Sequence, residues 1–358
     1  MSLHTISAAD AIARLSAFSA VIDARSEDEF AEDHLPGAVN WPSLVNAERA
    51  EVGTLYKQVN PFEAKKRGAA LVAANIARHI QREVIDRPRD WQPLVYCWRG
   101  GKRSGSLAHV LGQIGFRVHL IEGGYKAFRA ELLVQLPALA QRLNYRVICG
   151  PTGSGKTRLL QALAAEGAQV LDLEALASHR SSVLGLLPDQ PQPSQKQFDT
   201  RIWSALRGFD AARPVYVESE SKKVGNVAVP ACLIDAMRAS ACLRLDLPDT
   251  ERVELLMEDY DLFVRDPALF CSRLEALVPL RGHEVVERWK AWVAAGELRR
   301  VVQELLTLHY DPGYAASTQR NFRQFAQAQA CVAADRSVPA MRTLAREILR
   351  TESAAPRG

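Results

Sequence analysis

The sequence lacks the features that mark several common protein classes. Its 358 residues contain no run of about 18 consecutive apolar residues, so we expect no transmembrane helix and no membrane partner. The opening residues, MSLHTISAAD, include no basic segment followed by an apolar one, so we expect no secretory signal and a cytoplasmic protein. We find no internal repeat and no low-complexity tract. An apolar fraction of 47% and a charged fraction of 24% are instead typical of a globular chain.

The sequence also has few cysteines and a small net charge. Six cysteines are too few for a disulfide scaffold, and no CxxC pair indicates a zinc site. The net charge is only +4, but it is unevenly distributed along the chain. Residues 57–103 carry 11 Lys or Arg against 4 Asp or Glu, whereas residues 20–33 carry one Arg against six acidic residues. The basic block favours an anionic partner such as nucleic acid, or else a solvated, arginine-rich helix face.

Strand and helix patterns alternate along the first part of the chain. Short apolar strand patterns occur at 20–23, 37–40, 94–96 and 118–121, and helical patterns at 61–86 and 104–114. Such alternation predicts a parallel sheet covered by helices. We expect this first α/β domain to comprise residues 1–136.

The second part repeats this alternation and then becomes helical. Strand patterns occur at 145–149, 170–173, 215–218 and 242–247, and from about 250 to 308 the apolar spacing is three and four residues. We therefore expect a second α/β domain over residues 137–358. Its last part, about 250–350, is predicted to be a helical C-terminal extension.

A phosphate-binding loop is predicted at residues 150–157. The segment GPTGSGKT fits the pattern G-x-x-x-x-G-K-[ST] at every position, after an apolar strand and before a helix. Backbone N–H groups of such a loop surround phosphate oxygens, the lysine reaches the outer phosphate and the threonine hydroxyl binds Mg²⁺. The loop recognises a diphosphate or triphosphate rather than a base. The predicted phosphate-binding residues are Gly150, Gly153, Ser154, Gly155, Lys156 and Thr157.

Acidic residues at strand ends are candidates for holding the metal. Glu218 and Glu220 close the strand pattern VYVESES, and Asp172 closes VLDLE. An acidic residue at a strand end beside the phosphate loop commonly binds the metal in proteins of this class. We predict Thr157, Glu218 and Glu220 as metal ligands, with Asp172 as an alternative. Helix capping or simple surface exposure is the competing interpretation for each acid.

A second loop, YCWRGGKRS, carries a candidate nucleophile. Cys97 follows a buried strand pattern and precedes a helix that Ser104 can cap. Helix dipoles and the charges of Arg99, Lys102 and Arg103 favour the thiolate, which is the nucleophilic form of cysteine. The other five cysteines lie in apolar or helical runs and are predicted to be small core residues.

Two stretches of the first domain resemble the rhodanese signature. They are DARSEDEF at 23–30 and HLPGAVN at 34–40, and the Cys97 loop lies where rhodaneses keep their sulfur-carrying cysteine. The resemblance covers about residues 5–136 and implies a rhodanese-like parallel-sheet domain that transfers sulfur through a persulfide. It also implies that Asp23 and Arg25 are chiefly structural.

A rhodanese-like domain followed by a P-loop α/β domain resembles the bacterial tRNA 2-selenouridine synthase family. The stretches at 170–185, 217–225 and 309–314 (HYDPGY) are similar to that family as well. The resemblance implies that the wobble 2-thiouridine in the anticodon of certain tRNAs is first alkylated by geranyl diphosphate. Selenium from selenophosphate then replaces the S-geranyl group. It also implies tRNA as partner, and a selenophosphate-producing enzyme as a further candidate partner.

Two groups of basic residues are candidates for binding tRNA. On a helix, residues 67, 78 and 82 share one face, and residues 65 and 66 lie nearby at its start. The first group is therefore Lys65, Lys66, Arg67, Arg78 and Arg82. The second group, Lys222 and Lys223, follows the acidic strand end and could reach diphosphate or RNA. Solvated surface lysines and arginines would give the same patterns.

Two other functions are compatible with the same motifs. The first is a rhodanese-type sulfurtransferase fused to an ATP-dependent kinase or ATPase, using thiosulfate and ATP. The second is a non-catalytic adaptor with a nucleotide switch, against which the complete Cys97 loop argues. The place of a prenyl chain is not marked by any motif, and the apolar helices of 250–308 are its natural candidate.

Overall fold

The computed structural model describes residues 3–179, 191–259 and 265–354. Predicted features at 180–185 and 260–264 lie outside these residues. The chain divides into two compact units, residues 1–138 with 193–204 and residues 139–192 with 205–358. The return of 193–204 to the first unit was not predicted. The predicted domain limits, 1–136 and 137–358, stay a prediction.

A five-stranded parallel sheet forms the first unit, in the order β1-β5-β4-β2-β3. Its strands are β1 Leu3–Ile6, β2 Ala20–Asp23, β3 Ala38–Asn40, β4 Pro93–Tyr96 and β5 Val118–Ile121. Its helices are α1 Ala8–Ala13, α2 Glu27–Glu32, α3 Asn46–Gln58, α4 Pro61–His79, α5 Lys102–Ile114 and α6 Gly124–Gln141. All four residues of β4 are buried, as expected for a central parallel strand.

Helix α4 has a clear local reason to begin at Pro61. The side chain of Asn60 accepts hydrogen bonds from the backbone N–H groups of Phe62 and Glu63, and proline is favoured in the first turn. The predicted helix 61–86 is confirmed as far as residue 79. It then passes into a π-helical turn, Ile80–Val84, which shifts the spacing of the residues that follow.

A buried ion pair links the strand ends of the first unit. The Arg25 guanidinium donates to the Asp23 carboxylate at 2.6–3.0 Å and to the Asp33 carbonyl at 2.6 Å, and it lies 4.1 Å from the Tyr125 ring centre. The Asp33 carboxylate accepts hydrogen bonds from Tyr125 (2.7 Å) and Thr200 (3.0 Å), and burial raises the pKa of Asp33. These contacts are consistent with a structural role for Asp23 and Arg25.

Residues 193–204 pack into the first unit through polar and aromatic contacts. Asp199 pairs with Arg129, and the Trp203 ring meets Phe128 edge-on at 5.6 Å between ring centres. Trp203 is fully buried. The segment therefore completes the core of this unit although it is distant in sequence.

The second unit is built on another parallel sheet, in the order β12-β11-β6-β8-β7, and a two-stranded antiparallel ribbon, β9 with β10. Its strands are β6 Tyr145–Cys149, β7 Gln169–Leu171, β8 Val215–Glu218, β9 Lys223–Val224, β10 Val227–Ala228, β11 Ala241–Asp246 and β12 Gln329–Val332. Strand β6, which precedes the phosphate loop, lies centrally between β11 and β8.

The helices that follow in the chain include α9, which starts among the residues of the first unit. They are α7 Lys156–Ala165, α8 Leu173–Ala177, α9 Gln195–Gly208, α10 Ala231–Ala239, α11 Asp249–Asp259, α12 Pro267–Leu274, α13 Val278–Arg281, α14 His283–Ala294, α15 Leu298–Glu304, α16 Asp311–Asn321 and α17 Val338–Ala354. A π-helical turn, Leu305–Tyr310, joins α15 to α16. In the described part of the chain, we find no helix that is both long and apolar enough to cross a membrane.

The predicted fold class is confirmed, with one local correction. The extension expected to be helical over about 250–350 contains a strand, β12, which pairs with β11 and forms the edge of the second sheet. Strand β1, at the edge of the first sheet, was not predicted either. Both edge strands are only four residues long and mostly exposed, so neither shows the pattern of a buried strand.

The buried ion pair makes a prediction about stability. Arg25→Met should destabilise the protein by about 3–5 kcal/mol, because Asp23 would remain buried without its partner. Arg49→Met is the matched control, since Arg49 pairs with Glu29 at the surface, and it should cost about 1 kcal/mol or less. Equilibrium urea unfolding measures both values. Equal losses in the two variants would contradict the structural role.

Candidate active sites

The Cys97 loop connects β4 to α5 in the first unit. Cys97 directly follows the strand and is 3% exposed, and the Ser104 hydroxyl donates to its Sγ at 3.0 Å. The prediction that Ser104 caps the helix is wrong. Gly101 occupies the N-cap position without a side-chain bond, so Ser104 lies inside the first turn and is directed to the sulfur. The loop thus holds a thiol at a helix N-terminus beside a hydroxyl donor.

The turn after β5 supports the loop from behind. The N–H groups of Tyr125 and Lys126 donate to the carbonyls of Cys97 (2.8 Å) and Trp98 (3.0 Å). Gly124 has a φ of +59°, and a Cβ there would lie 2.2 Å from the Cys97 carbonyl oxygen. Only glycine fits this approach, so the turn determines the position of the loop backbone.

The three predicted cations of the loop have different surroundings. Arg99 and Lys102 are exposed, and Lys102 is the first residue of α5. Arg103 instead donates to Glu29 at 2.6 Å. Burial opposes ionisation of Glu29, but the hydrogen bond and charge of Arg103 outweigh it and lower the Glu29 pKa. Arg99 and Lys102 therefore face solvent beside the thiol, while Arg103 is engaged with the protein itself.

The phosphate loop lies between β6 and α7 in the second unit. Gly153 and Gly155 have φ values of +76° and +86°, and a Cβ at Gly150 would lie 2.9 Å from the Leu245 carbonyl oxygen. Lys156 Nζ donates to the Gly150 carbonyl at 2.7 Å. All six predicted residues are brought together in the loop and the first turn of α7, at a helix N-terminus, as the prediction of a phosphate site requires.

Tyr314 is a site residue that the motif analysis missed. Its hydroxyl accepts a hydrogen bond from the Gly150 N–H and lies 3.3 Å from the Ser219 hydroxyl. The Lys156 ammonium lies 5.6 Å from the Tyr314 ring centre. Tyr314 ends the HYDPGY stretch, so that motif was the signal available in the sequence. The ring lies directly against the phosphate loop.

A carboxylate cluster adjoins the phosphate loop. Ligand oxygens of Glu174, Glu218 and Glu220 lie within 4.8 Å of one another, and Thr157 donates to Glu174 at 3.3 Å. The structure thus brings the three predicted ligands together and adds Glu174. Asp172, the alternative ligand, caps α8 instead by accepting from the Ala175 N–H at 2.8 Å.

Glu218 is the deepest member of the cluster. It is 1% exposed, and its Oε1 lacks a hydrogen-bond partner among the described residues. Burial and then the charges of Glu174 and Glu220 raise its pKa well above the ordinary value, against the opposing charge of Lys156. An unpaired carboxylate oxygen among other carboxylates fits a divalent cation with oxygen ligands such as Mg²⁺.

The phosphate loop and the carboxylate cluster line the same cleft, which has a volume of about 510 Å³. Its cationic side chains are Lys156, Arg158 and Arg238, and its apolar ones include Leu255, Leu256 and Phe322. The sequence analysis placed a prenyl chain among the helices of 250–308. Of these, α11 contributes to the cleft, whereas α12, α14 and α15 pack their apolar residues into a separate core.

The predicted RNA-binding residues of the first unit have different surroundings. Lys66, Arg67 and Arg78 lie near carboxylates of their own unit, Glu63 and Glu51 at 2.7 Å and Glu48 at 3.9 Å. Arg67 and Arg78 both lie against glutamates of α3, Arg78 and Arg82 line one cavity of about 700 Å³, and Lys65 borders another cavity. In the second unit, Lys222 and Lys223 are exposed and neither is among the described residues that line the phosphate cleft.

Comparison with known proteins identifies the family. The family described as the tRNA 2-selenouridine synthase AAA domain matches residues 122–273, and the rhodanese-like domain family matches residues 7–131. A tRNA 2-selenouridine synthase of Bdellovibrio bacteriovorus is 30% identical over 84% of this chain and 89% of that protein. The chain belongs to the tRNA 2-selenouridine synthase family. The resemblance stated from the sequence is therefore confirmed.

Two other matches cover smaller parts of this chain. A tRNA 2-selenouridine synthase of Nitrosomonas europaea is 38% identical over 71% of this chain, and the match spans 66% of that protein, just under two thirds of its length. One solved structure is described as the N-terminal domain of a putative ATP/GTP binding protein from Clostridium difficile 630. It is 35% identical over 36% of this chain and 98% of that chain, with a TM-score of 0.32.

The carboxylate cluster predicts a change in stability that depends on pH. The folded state holds the Glu218 proton at higher pH than the unfolded chain, so metal-free protein should lose stability as the pH rises above about 4.3. Glu218→Gln removes this loss and should therefore raise stability at pH 7 relative to the wild-type chain, because the amide has no proton to release. Thermal unfolding in EDTA measures both effects.

The same variant tests metal binding. Added Mg²⁺ should stabilise the wild-type chain and leave Glu218→Gln unchanged. Glu347→Gln, an exposed glutamate of α17, is the control and should respond to Mg²⁺ like wild type. Equal Mg²⁺ responses of wild type and Glu218→Gln would show that the cluster is not the metal site.

Proposed function

We propose that this chain is a transferase that converts the wobble 2-thiouridine of tRNA into 2-selenouridine through an S-geranyl intermediate. The proposal is carried by one observation: this chain aligns with 89% of a tRNA 2-selenouridine synthase, and both the Cys97 loop and the phosphate loop are complete in it. Geranyl diphosphate and selenophosphate are the proposed substrates besides tRNA. A selenophosphate-producing enzyme and a cytoplasmic location belong to the same proposal.

The alkylation step is assigned to the cleft of the second unit. The phosphate loop and Lys156 hold the diphosphate, and the apolar side chains of Leu255, Leu256 and Phe322 contact the isoprenoid chain. The sulfur of 2-thiouridine attacks the first carbon of the chain, and the bond between that carbon and the diphosphate oxygen breaks. Positive charge around the diphosphate favours its departure. A cleft with a cationic end and an apolar wall suits such a donor.

Mg²⁺ fits the same cleft. Thr157, Glu174, Glu218 and Glu220 would hold it, because they supply oxygen ligands beside the phosphate loop. The ion would neutralise the charge that develops on the departing diphosphate. It would also offset the repulsion among the three carboxylates, which the chain itself leaves only partly balanced by Lys156.

The selenium step is assigned to the Cys97 loop of the first unit. Arg99 and Lys102 attract selenophosphate, and the Cys97 thiol at the helix N-terminus holds its selenium beside the modified base. The selenium of selenophosphate attacks C2 of the base, so that a carbon–selenium bond forms, the carbon–sulfur bond breaks and the geranyl thiolate departs. Water then cleaves the selenium–phosphorus bond, which releases phosphate and leaves the selenium on the base. An alkylated sulfur is a better leaving group than the sulfur of a thiocarbonyl. Alkylation in the first step therefore prepares the base for the selenium step.

Binding of tRNA is assigned to basic side chains around these loops. Arg78 and Arg82, which share a cavity, are the first candidates, and Lys65, Lys222 and Lys223 are exposed. Lys66 and Arg67 already pair with glutamates, so they contribute less to binding a phosphate backbone. Such contacts are mostly electrostatic and weaken as salt increases.

The role proposed for Cys97 in the selenium step makes a prediction about the two steps. Cys97→Ser should abolish selenation and leave geranylation intact, because only the selenium step uses the thiol. Nucleoside analysis of tRNA after reaction with geranyl diphosphate, and then with selenophosphate, measures each step. Cys271→Ser, a half-buried cysteine of α12, is the control and should support both steps. Normal 2-selenouridine formation by Cys97→Ser would disprove the role of this thiol.

The phosphate loop makes a prediction about the donor. Lys156→Ala should weaken geranyl diphosphate binding and block alkylation, since a hydrogen bond to a charged group is worth about 1.5–3 kcal/mol. Calorimetric titration measures the affinity, with Lys290→Ala of α14 as the control. Unchanged geranyl diphosphate affinity together with loss of ATP binding would favour the alternative, a rhodanese-type sulfurtransferase fused to an ATP-dependent kinase or ATPase.

A further inference from the structure

A groove in the first unit has aliphatic walls that take no part in either proposed step. It has a volume of about 820 Å³ and lies among α3, α4 and α5. Its walls are mostly aliphatic, and they include Val52, Ala69, Val72, Ala73, Ile76 and Val110. This volume lies within the range of sites that bind small organic molecules.

Small side chains on α4 form the floor of the groove. Ala69, Ala73 and Ala77 are four residues apart, so they lie on one face of the helix, and all three are exposed. Alanine leaves a depression where larger residues would fill the space against α3 and α5. Exposed apolar surface of this kind on a soluble chain indicates a binding surface.

The groove reaches the helix turn that holds the reactive thiol. Lys102, Arg103, Gly105 and Ser106 line it, and they belong to the start of α5. Ser104, in the same turn, donates to Cys97 Sγ at 3.0 Å. A ligand lying in the groove is therefore placed beside the loop to which the selenium step is assigned.

The rim of the groove is positively charged. Lys65, Lys102 and Arg103 border it, together with His109. Neither Lys65 nor Lys102 has a carboxylate within ion-pair distance in the part of the chain that the structure describes. An apolar floor with a cationic rim complements a ligand in which an apolar chain is attached to an anionic polymer.

We propose that this groove binds the geranyl chain of S-geranylated tRNA during the selenium step. The inference rests on the proposed function, because it takes the S-geranyl intermediate from there. The modified base has to meet Cys97, its ten-carbon chain is attached to the reacting sulfur, and the RNA backbone supplies the negative charge for the rim. Geranyl diphosphate itself is held elsewhere, where the phosphate loop adjoins its own apolar wall.

The test compares two synthetic anticodon stem-loops, one with S-geranyl-2-thiouridine and one with 2-thiouridine, in the absence of selenophosphate. The wild-type chain should bind the geranylated RNA at least about tenfold more tightly, since burial of only two methylene groups is worth that much. Ala73→Phe fills the groove and should remove this preference while leaving the affinity for the 2-thiouridine RNA unchanged. Ala74→Phe, an equally exposed alanine outside the groove, should keep the preference.

The outcomes separate the groove from the proposed function. Retention of the full preference by Ala73→Phe would overturn the groove assignment, even if wild-type protein converts the geranylated RNA to 2-selenouridine. Failure of wild-type protein to make that conversion, in a separate assay with selenophosphate, would overturn the proposed function itself. A change of oligomeric state in Ala73→Phe, with the preference intact, would make the groove a contact between copies of the chain and would also overturn the assignment.

Discussion

In both units, a close approach of backbone to backbone determines the shape of the reactive loop. In the first unit the Cys97 carbonyl oxygen lies where a side chain of Gly124 would be, 2.2 Å from that Cβ position. In the second unit the Leu245 carbonyl oxygen lies 2.9 Å from the Cβ position of Gly150. Each loop follows a central parallel strand and leads into a helix, so the absence of one side chain lets the neighbouring strand end support it. The thiol and the phosphate-binding N–H groups depend on this support for their positions.

The strands were predictable where they are buried on both faces. The mostly apolar runs at Ala20–Asp23, Val118–Ile121, Tyr145–Cys149 and Val215–Glu218 coincide with β2, β5, β6 and β8, because strands inside a parallel sheet are covered on both faces and are therefore rich in apolar residues. The edge strands β1 and β12 were missed, since most of their residues face solvent. The π-helical turn after α4 was missed too, because it changes the residue spacing without any marker residue such as proline.

The reactive loops were predictable because each is contiguous in sequence, whereas the partners of their side chains were not. Arg103 was expected to activate the thiol, but Glu29, far away in the chain, takes up its charge. Glu174 was not predicted as a member of the carboxylate cluster, since it is the pairing of β7 with β8 that brings it close to Glu218. Sequence spacing reports what one loop or one helix face contains. It cannot report which residues meet across a sheet.

The return of residues 193–204 to the first unit has a consequence for how such a protein could have arisen. A gene fragment ending at residue 138 would encode all five strands of the first sheet but not Thr200 or Trp203. Its product would leave Asp33 with one hydroxyl donor fewer in the interior and would uncover Phe128. The first unit is thus not a self-contained N-terminal module, because it depends on a segment that follows the start of the second unit in the chain. An exchange of the first unit for a homologue would have to include residues 193–204.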